Sequence, residues 1–218
     1  MSRPTLVIAT KNYSSWSLRP WLLLRHLGIP FEERLFHLDS PEFAREVPKL
    51  SPTRRVPVLV DGELRIWESL AICEYASELA GGRGWPGDAG LRARARALAC
   101  EMHAGFGALR SACPMNVRAR GRRVPSTPEL AADVRRINAM FSACRREHAD
   151  LGPWLFGTYS AVDAMYAPVV LRFQTYDLPF EQLPRQYAET VLTDPHLGEW
   201  IEAARVEGVV VPADEAGA

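Results

Sequence analysis

The chain reads as an α/β unit followed by an all-helical remainder. Three observations predict this. Up to about residue 80, short strand-like apolar runs alternate with helical patterns. At 81–90 the segment GGRGWPGDAG holds five glycines and a proline, which no helix continues through. Beyond it, apolar residues recur at helical spacing and no convincing strand appears before the tail.

The first strand is predicted at Thr5 to Ala9, followed by a polar loop from Lys11 to Ser15. A helix then runs to Leu27, with Leu18, Trp21, Leu22 and Leu24 on its apolar side, and Gly28 with Pro30 beyond it marks its end. Phe31 to Leu38 reads as a second strand and Pro41 to Leu50 as a short helix. Pro57 to Val60 and Leu64 to Trp67 read as strands joined by a tight turn at Asp61-Gly62, where glycine tolerates positive φ. Val56 must be extended before Pro57, and their bond is a candidate cis peptide. Glu68-Ser69 opens a helix carrying Leu70, Ile72, Tyr75 and Leu79. A βαβ unit with its right-handed crossover, joined to a ββα unit, is the thioredoxin-like arrangement. The predicted organisation is therefore a thioredoxin-like domain at 1–80, a linker at 81–90 and an all-α domain at 91–218.

In the second half, Leu91, Ala95, Leu98 and Met102 start a helix whose pattern continues through Phe106 and Leu109 toward Pro114. Leu130, Val134, Ile137, Phe141 and Cys144 define another. Ser160 to Asp163 has the form of a capping box, with Asp in place of the usual Glu or Gln. The helix it opens carries Val162, Met165, Tyr166, Val169, Val170 and Phe173, and Pro168 should kink it. A last helix is expected over Pro195 to Arg205, and the tail from Val209 to Ala218 is expected to be poorly ordered at its end.

Composition narrows the function. With 26 Lys+Arg against 26 Asp+Glu, the chain lacks the basic excess of a general nucleic-acid binder. No apolar run approaches a membrane span, and the start MSRPTLVIATK has too short an apolar run for a signal peptide, so a cytoplasmic protein is expected. Cys73, Cys100, Cys113 and Cys144 form no CxxC and no zinc pattern; they are expected as inert buried thiols of a reducing compartment, with no metal.

The stretch Arg55 to Leu79 carries the strongest chemical signal. A carboxylate and a hydroxyl at a helix start, beside a proline-led strand, suit a ligand that bears both an ammonium and a carboxylate. Val56-Pro57 is followed eleven residues later by Glu68-Ser69; Ser160 to Asp163 follows Leu155-Phe156-Gly157; and the first strand leads into Ser14-Ser15-Trp16-Ser17-Leu18-Arg19. In these three features the chain resembles the cytosolic glutathione transferase family, over nearly its whole length. The loop is similar to the zeta-class (maleylacetoacetate isomerase) pattern at Ser14, Ser15, Ser17 and Arg19, but Trp16 stands in place of that pattern's cysteine and Leu18 in place of its tryptophan.

The resemblance implies glutathione as co-substrate and a hydroxyl that stabilises its thiolate, the nucleophilic form. By residue match the donor is Ser14, with Ser15 and Ser17 as alternatives and Tyr13 as the competing reading. No cysteine precedes Cys73, which disfavours mixed-disulfide chemistry in the loop. Val56, after which Pro57 opens the strand, would pair with the cysteinyl backbone of glutathione; Glu68 would hold the γ-glutamyl ammonium and Ser69 its carboxylate. Arg54 and Arg55 are candidates for the glycyl carboxylate. The electrophile site would lie between the domains, with Trp16, His103, Phe106, Arg110, Met115 and Asn116 as candidates and Arg110 suited to an acidic substrate. The basic run Arg118 to Arg123 reads as a solvated helix end or loop. The implied function is addition of glutathione to small hydrophobic electrophiles, or isomerisation of the maleylacetoacetate type, by a homodimer without nucleic-acid or membrane partners. A non-catalytic ligand-binding or regulatory protein on the same scaffold is the alternative.

Overall fold

The computed structural model describes residues 3–218. Its first half is a four-stranded mixed sheet in the order β2-β1-β3-β4. β1 (Thr5–Ala9) pairs in parallel with β2 (Glu32–Phe36) through α1 (Ser15–His26), the crossover that parallel strands require. β3 (Val58–Asp61) runs antiparallel to β1 and to β4 (Leu64–Trp67). α2 (Pro41–Leu50) precedes β3, and α3 (Ser69–Leu79) follows β4. Leu6, Ile8 and Leu59 face α1 and α3 in the main core, while Val7 and Val58 face the α2 side with Phe36 and Val47. That alternation is the period-two signature of a sheet covered on both faces.

Local chemistry explains the ends of the elements. α1 closes in a Schellman motif: Gly28 at φ +68 donates to Arg25 O and Ile29 donates to Leu24 O. The β3–β4 turn is centred one residue later than expected, on Gly62-Glu63, because Asp61 still pairs with Leu64. Val56-Pro57 is cis.

The second half is helical: α4 (Ala89–Ala104), α5 (Gly107–Ala112), α6 (Pro128–His148), α7 (Ala161–Thr175), α8 (Gln182–Leu192) and α9 (Pro195–Val206). α7 is the central helix; nearly every residue is buried, and it continues through Pro168. Its capping box is formed by Ser160 and Asp163. The Asp163 carboxylate also accepts from Leu155 N at 3.0 Å and from the Tyr187 hydroxyl at 3.1 Å, so one side chain ties three segments together. α7 packs on α1, and Arg19 of α1 donates to Met165 O at 3.1 Å.

Four expectations are corrected. The helix from Leu91 does not run on to Pro114. It stops at Gly105, where a Cβ would lie 2.7 Å from Glu101 O, and restarts after Phe106 at φ +55. α8 was not expected; its Pro184 and mixed charges hide a short apolar face of Tyr187, Ala188 and Val191. Cys100 is exposed, because it lies on the outer face of α4, whereas the other three thiols are buried. The tail is docked: after a 3-10 turn at Pro212–Asp214, Glu215 binds Tyr13, Asn116 and Arg122.

Candidate active site

A cleft opens along the C-terminal edge of β1 and the start of α1. It has two lobes that share Trp16, Arg55, Val56 and Arg110. The first, about 300 Å³, is lined in addition by Thr53, Pro57, Glu68, Ser69 and His103. The second, about 470 Å³, reaches Tyr13, Ser14, Ser15, Leu38, Phe43, Met115, Arg172 and Asp214, among others.

The first lobe is built by one hairpin and the helix it enters. β3 pairs only from Val58 onward, so no main-chain hydrogen bond engages Val56 among the described residues. Glu68 holds a left-handed φ of +73, a conformation that costs a residue with a Cβ about 1–3 kcal/mol. The turn it makes leaves the Glu68 carboxylate exposed at the cavity and starts α3 at Ser69. Ser69 is 1% exposed and its hydroxyl has no hydrogen-bond partner among the described residues. A buried hydroxyl left without a partner is costly unless a ligand supplies one.

The second lobe is built from the start of α1. Ser14 is its N-cap residue, yet the side chain does not cap; Ser14 Oγ instead lies 2.7 Å from Ser17 Oγ. Ser17 Oγ accepts from Ala9 N at 3.2 Å, so its own proton can go to Ser14, leaving the Ser14 proton free. Ser15 Oγ accepts from Arg172 Nη2 at 3.2 Å, which likewise leaves the Ser15 proton free. Both hydroxyls sit at the positive end of a twelve-residue helix. Arg172 comes from α7 and is buried; its other contacts are the carbonyls of Cys113 and Pro168. Burial and the neighbouring Arg110 charge pull its guanidinium down to about 10, so it remains charged at neutral pH. Trp16 is flanked by Arg19 at 4.1 Å and Arg110 at 5.3 Å, in cation–π range of its ring.

Sequence profiles of two protein families match this chain. "Glutathione S-transferase, N-terminal domain" covers residues 13–79, and "Glutathione S-transferase, C-terminal domain" covers 127–203, together about two thirds of the chain. The chain belongs to the glutathione S-transferase family.

Curated relatives match over shorter stretches. A dichloromethane dehalogenase of Methylorubrum extorquens is 40% identical over 60 residues, 27% of this chain and 21% of that protein. A probable maleylacetoacetate isomerase of Vibrio cholerae is 37% identical over 68 residues, 30% of this chain and 32% of that protein. The matched stretch thus spans about a fifth to a third of these relatives' length. Among solved structures, a glutathione transferase homolog from Burkholderia gl BGR1 with bound glutathione superposes with TM-score 0.72 at 22% identity, covering 94% of this chain and 100% of that one. Ure2p in complex with glutathione does so with TM-score 0.70 at 15% identity, covering 91% and 98%. These structural likenesses establish the transferase fold.

Against this transferase fold the expected site residues divide. Val56, Pro57, Glu68 and Ser69 come together in the first lobe, and Ser14, Ser15 and Met115 in the second; Trp16 and Arg110 serve both. His103 was expected at the electrophile; it lines the first lobe instead, its Nε2 3.6 Å from Glu68 Oε2, because α4 ends above the hairpin. Phe106 lines neither lobe: its left-handed backbone turns the ring into the core against Tyr166. Asn116 is buried and structural, accepting from Asn12 Nδ2 and donating to Glu215. Tyr13 lines the second lobe, but its hydroxyl donates to Glu215 Oε1 at 2.6 Å and accepts from Arg118 Nη2 at 3.1 Å, so it has no proton for a sulfur. The basic run is not merely solvated. Arg118 binds the carbonyls of Glu207 and Val209, and Arg122 pairs with Glu215 at 2.5 Å, which fastens the tail. Arg172 and Asp214 were missed; a lone arginine in an apolar helix, with no carboxylate at helical spacing, was the one signal for the former.

The three buried thiols are held in the protonated form. Burial pushes Cys73 up to about 12 and Cys113 and Cys144 up to about 11, far from the thiolate form at neutral pH.

Proposed function

We propose that this chain is a glutathione transferase that activates the thiol of glutathione for addition to small electrophiles. The buried, unpartnered Ser69 hydroxyl beside the strained Glu68 is the observation that carries the reading. Glu68 takes the γ-glutamyl ammonium, and Ser69 with the α3 N-terminus takes the γ-glutamyl carboxylate. The Val56 main chain pairs with the cysteinyl backbone, and Arg54 or Arg55 meets the glycyl carboxylate. The sulfur then lies over the start of α1. There Ser14, oriented by Ser17, is the principal donor to the thiolate, and Ser15, backed by Arg172, is the second.

In the reaction the thiol proton leaves to water, the thiolate forms a C–S bond to the electrophilic carbon, and the leaving group departs with its electron pair or the added pair is protonated. Where the adduct can rotate and expel the thiolate again, the same site isomerises a double bond. That is the variant suggested by the similarity to a probable maleylacetoacetate isomerase.

The reading includes a cytoplasmic, detoxifying homodimer. Leu64 and Trp67, exposed on the edge strand β4, and Leu79 on α3 support a partner surface. Light scattering at micromolar concentration would show twice the 24.3 kDa chain mass. Calorimetry with glutathione and a conjugation assay on 1-chloro-2,4-dinitrobenzene test the catalytic reading; absence of glutathione binding up to millimolar concentration would refute it. Binding of apolar ligands without glutathione affinity would instead favour a non-catalytic carrier.

A further inference from the structure

Outside the cleft, nine arginines meet carboxylates among the described residues. Arg94 meets Glu147 at 2.6 Å, Arg96 meets Glu74 at 2.9 Å, and Arg136 meets Glu101 at 2.6 Å. The cleft differs in gathering arginines that have no such partner into one cavity. Arg54, Arg55, Arg110 and Arg172 line the second lobe, with Arg19 behind Trp16, and none of the five is ion-paired among the described residues. Arg110 donates only to the carbonyls of His103 and Gly105, at 3.3 and 3.1 Å. Arg172 and Arg19 likewise bind only neutral oxygens. The single acidic residue lining this lobe is Asp214; Glu68 lies in the other. Arg110 and Arg172 each weaken the protonation of Arg19, after burial, as like charges held close do.

Bound glutathione does not use up this charge. Its ammonium neutralises Glu68. Its γ-glutamyl carboxylate has Ser69 and a helix N-terminus, its glycyl carboxylate has Arg54 or Arg55, and its thiolate has the serines with Arg172 behind them. Arg110 and one of Arg54 and Arg55 are left over, and Arg110 is the one at the junction of the lobes that also flanks Trp16, with Leu38, Phe43, Pro114 and Met115 as the apolar wall of the lobe. An apolar wall ending in an uncompensated guanidinium matches an apolar body that carries a carboxylate.

Resting on the transferase reading above, we infer that the electrophile this site selects is an organic anion, an apolar or aromatic carboxylate, with Arg110 as its selecting residue and Arg172 as supporting charge. For a chloronitrobenzoate the step is aromatic substitution: the thiolate forms a C–S bond at the ring carbon, chloride leaves with the C–Cl electron pair, and the ring carboxylate stays on Arg110.

The test compares kcat/KM for 4-chloro-3-nitrobenzoate and the neutral 1-chloro-2,4-dinitrobenzene at saturating glutathione, each divided by its uncatalysed rate constant with glutathione. The expected result is a normalised preference for the carboxylate of about tenfold or more, the scale of one hydrogen bond to a charged group. Arg110→Gln should abolish that preference and Arg110→Lys should keep most of it. Equal or reversed preference in the wild type overturns the inference while leaving the transferase reading intact. So does an Arg110→Gln variant that loses glutathione affinity with its preference unmoved, since Arg110 would then belong to the tripeptide. A binding readout stands apart from turnover: quenching of Trp16 fluorescence, scored as the change lost in Trp16→Phe, should show 3-nitrobenzoate bound about tenfold tighter than nitrobenzene. No difference between the two overturns the inference even if glutathione conjugation proceeds.

Discussion

The two lobes of the cleft are built on opposite plans. The first draws most of its wall from one stretch, Thr53 to Ser69, in which a hairpin and a helix start bring backbone, carboxylate and hydroxyl together; only Trp16, His103 and Arg110 come from elsewhere. The second collects Tyr13 to Trp16, Leu38, Phe43, residues 54–56, residues 110–115, Arg172 and Asp214 from seven separate places. A lobe made locally suits a constant ligand, because its geometry depends on few long-range contacts. A lobe assembled from both halves and the tail suits a selective one, because each contributing segment can vary independently of the rest.

Chemistry should be the most sensitive point of this contrast, since its serines line the second lobe directly before Trp16, which both lobes share. Ser14→Ala is expected to lower kcat about a hundredfold, the cost of removing one oxyanion-type donor, with glutathione affinity nearly intact. Ser15→Ala should cost less. Because the Ser14 side chain does not cap α1, its variant should unfold at the wild-type denaturant midpoint; a large shift there would mean that the lost turnover is structural.

Next in size, Ser69→Ala should weaken glutathione about tenfold by calorimetry while leaving kcat at saturation unchanged. A variant that binds glutathione as tightly as the wild type would show that the orphan hydroxyl is not part of the first lobe's site.

The tail sharpens the comparison from the other side. Glu215→Gln weakens the clamp on Tyr13 and Arg122, so the electrophile KM should rise severalfold with glutathione affinity unmoved. Burial alone would raise the Glu215 carboxyl, but the hydrogen bonds from Tyr13 and Asn116 and the Arg122 charge outweigh it and hold it below the usual carboxylate range. A depressed folded value means that the contribution is complete above the unfolded pKa, about 4.3, and is lost as pH falls through the folded value. Hydrogen exchange at Val211 to Glu215 should therefore stay slow down to about pH 4 and quicken below it. Loss of protection already between about pH 5 and 6 would assign the release to another group.

The smallest effect concerns strain. Glu68→Gly relieves a left-handed φ, so stability by denaturant titration should rise by up to about 1 kcal/mol, net of glycine's chain entropy, while glutathione binds more weakly. Loss of stability would mean that the Glu68 side chain contributes more to the fold than its backbone costs.

How much could be read without coordinates follows the same division. Val56, Pro57, Glu68 and Ser69 were legible because a turn, a proline and a helix start are encoded within a few residues of one another. The order of the elements along the first half and the cap at Ser160 were legible for the same reason. The serine loop was legible as a group but not in its roles. That Ser17 serves Ser14, and that Tyr13 is spent on Glu215, depends on partners 3 and 202 residues away. His103 and Phe106 were both placed on the electrophile side because one continuous helix was assumed. The break at Gly105 sends one ring to the hairpin and the other into the core.

By itself, then, the sequence determined most of the elements, their order along the chain and the local grouping of Val56, Pro57, Glu68 and Ser69, since periodicity, turn chemistry and capping act over a few residues. Only the tertiary structure decided which hydroxyl keeps its proton, where the tail lies, and that unpaired arginines from distant segments meet beside Trp16. Those outcomes depend on burial and on charges brought close by packing, and neither is a property of any one stretch of chain.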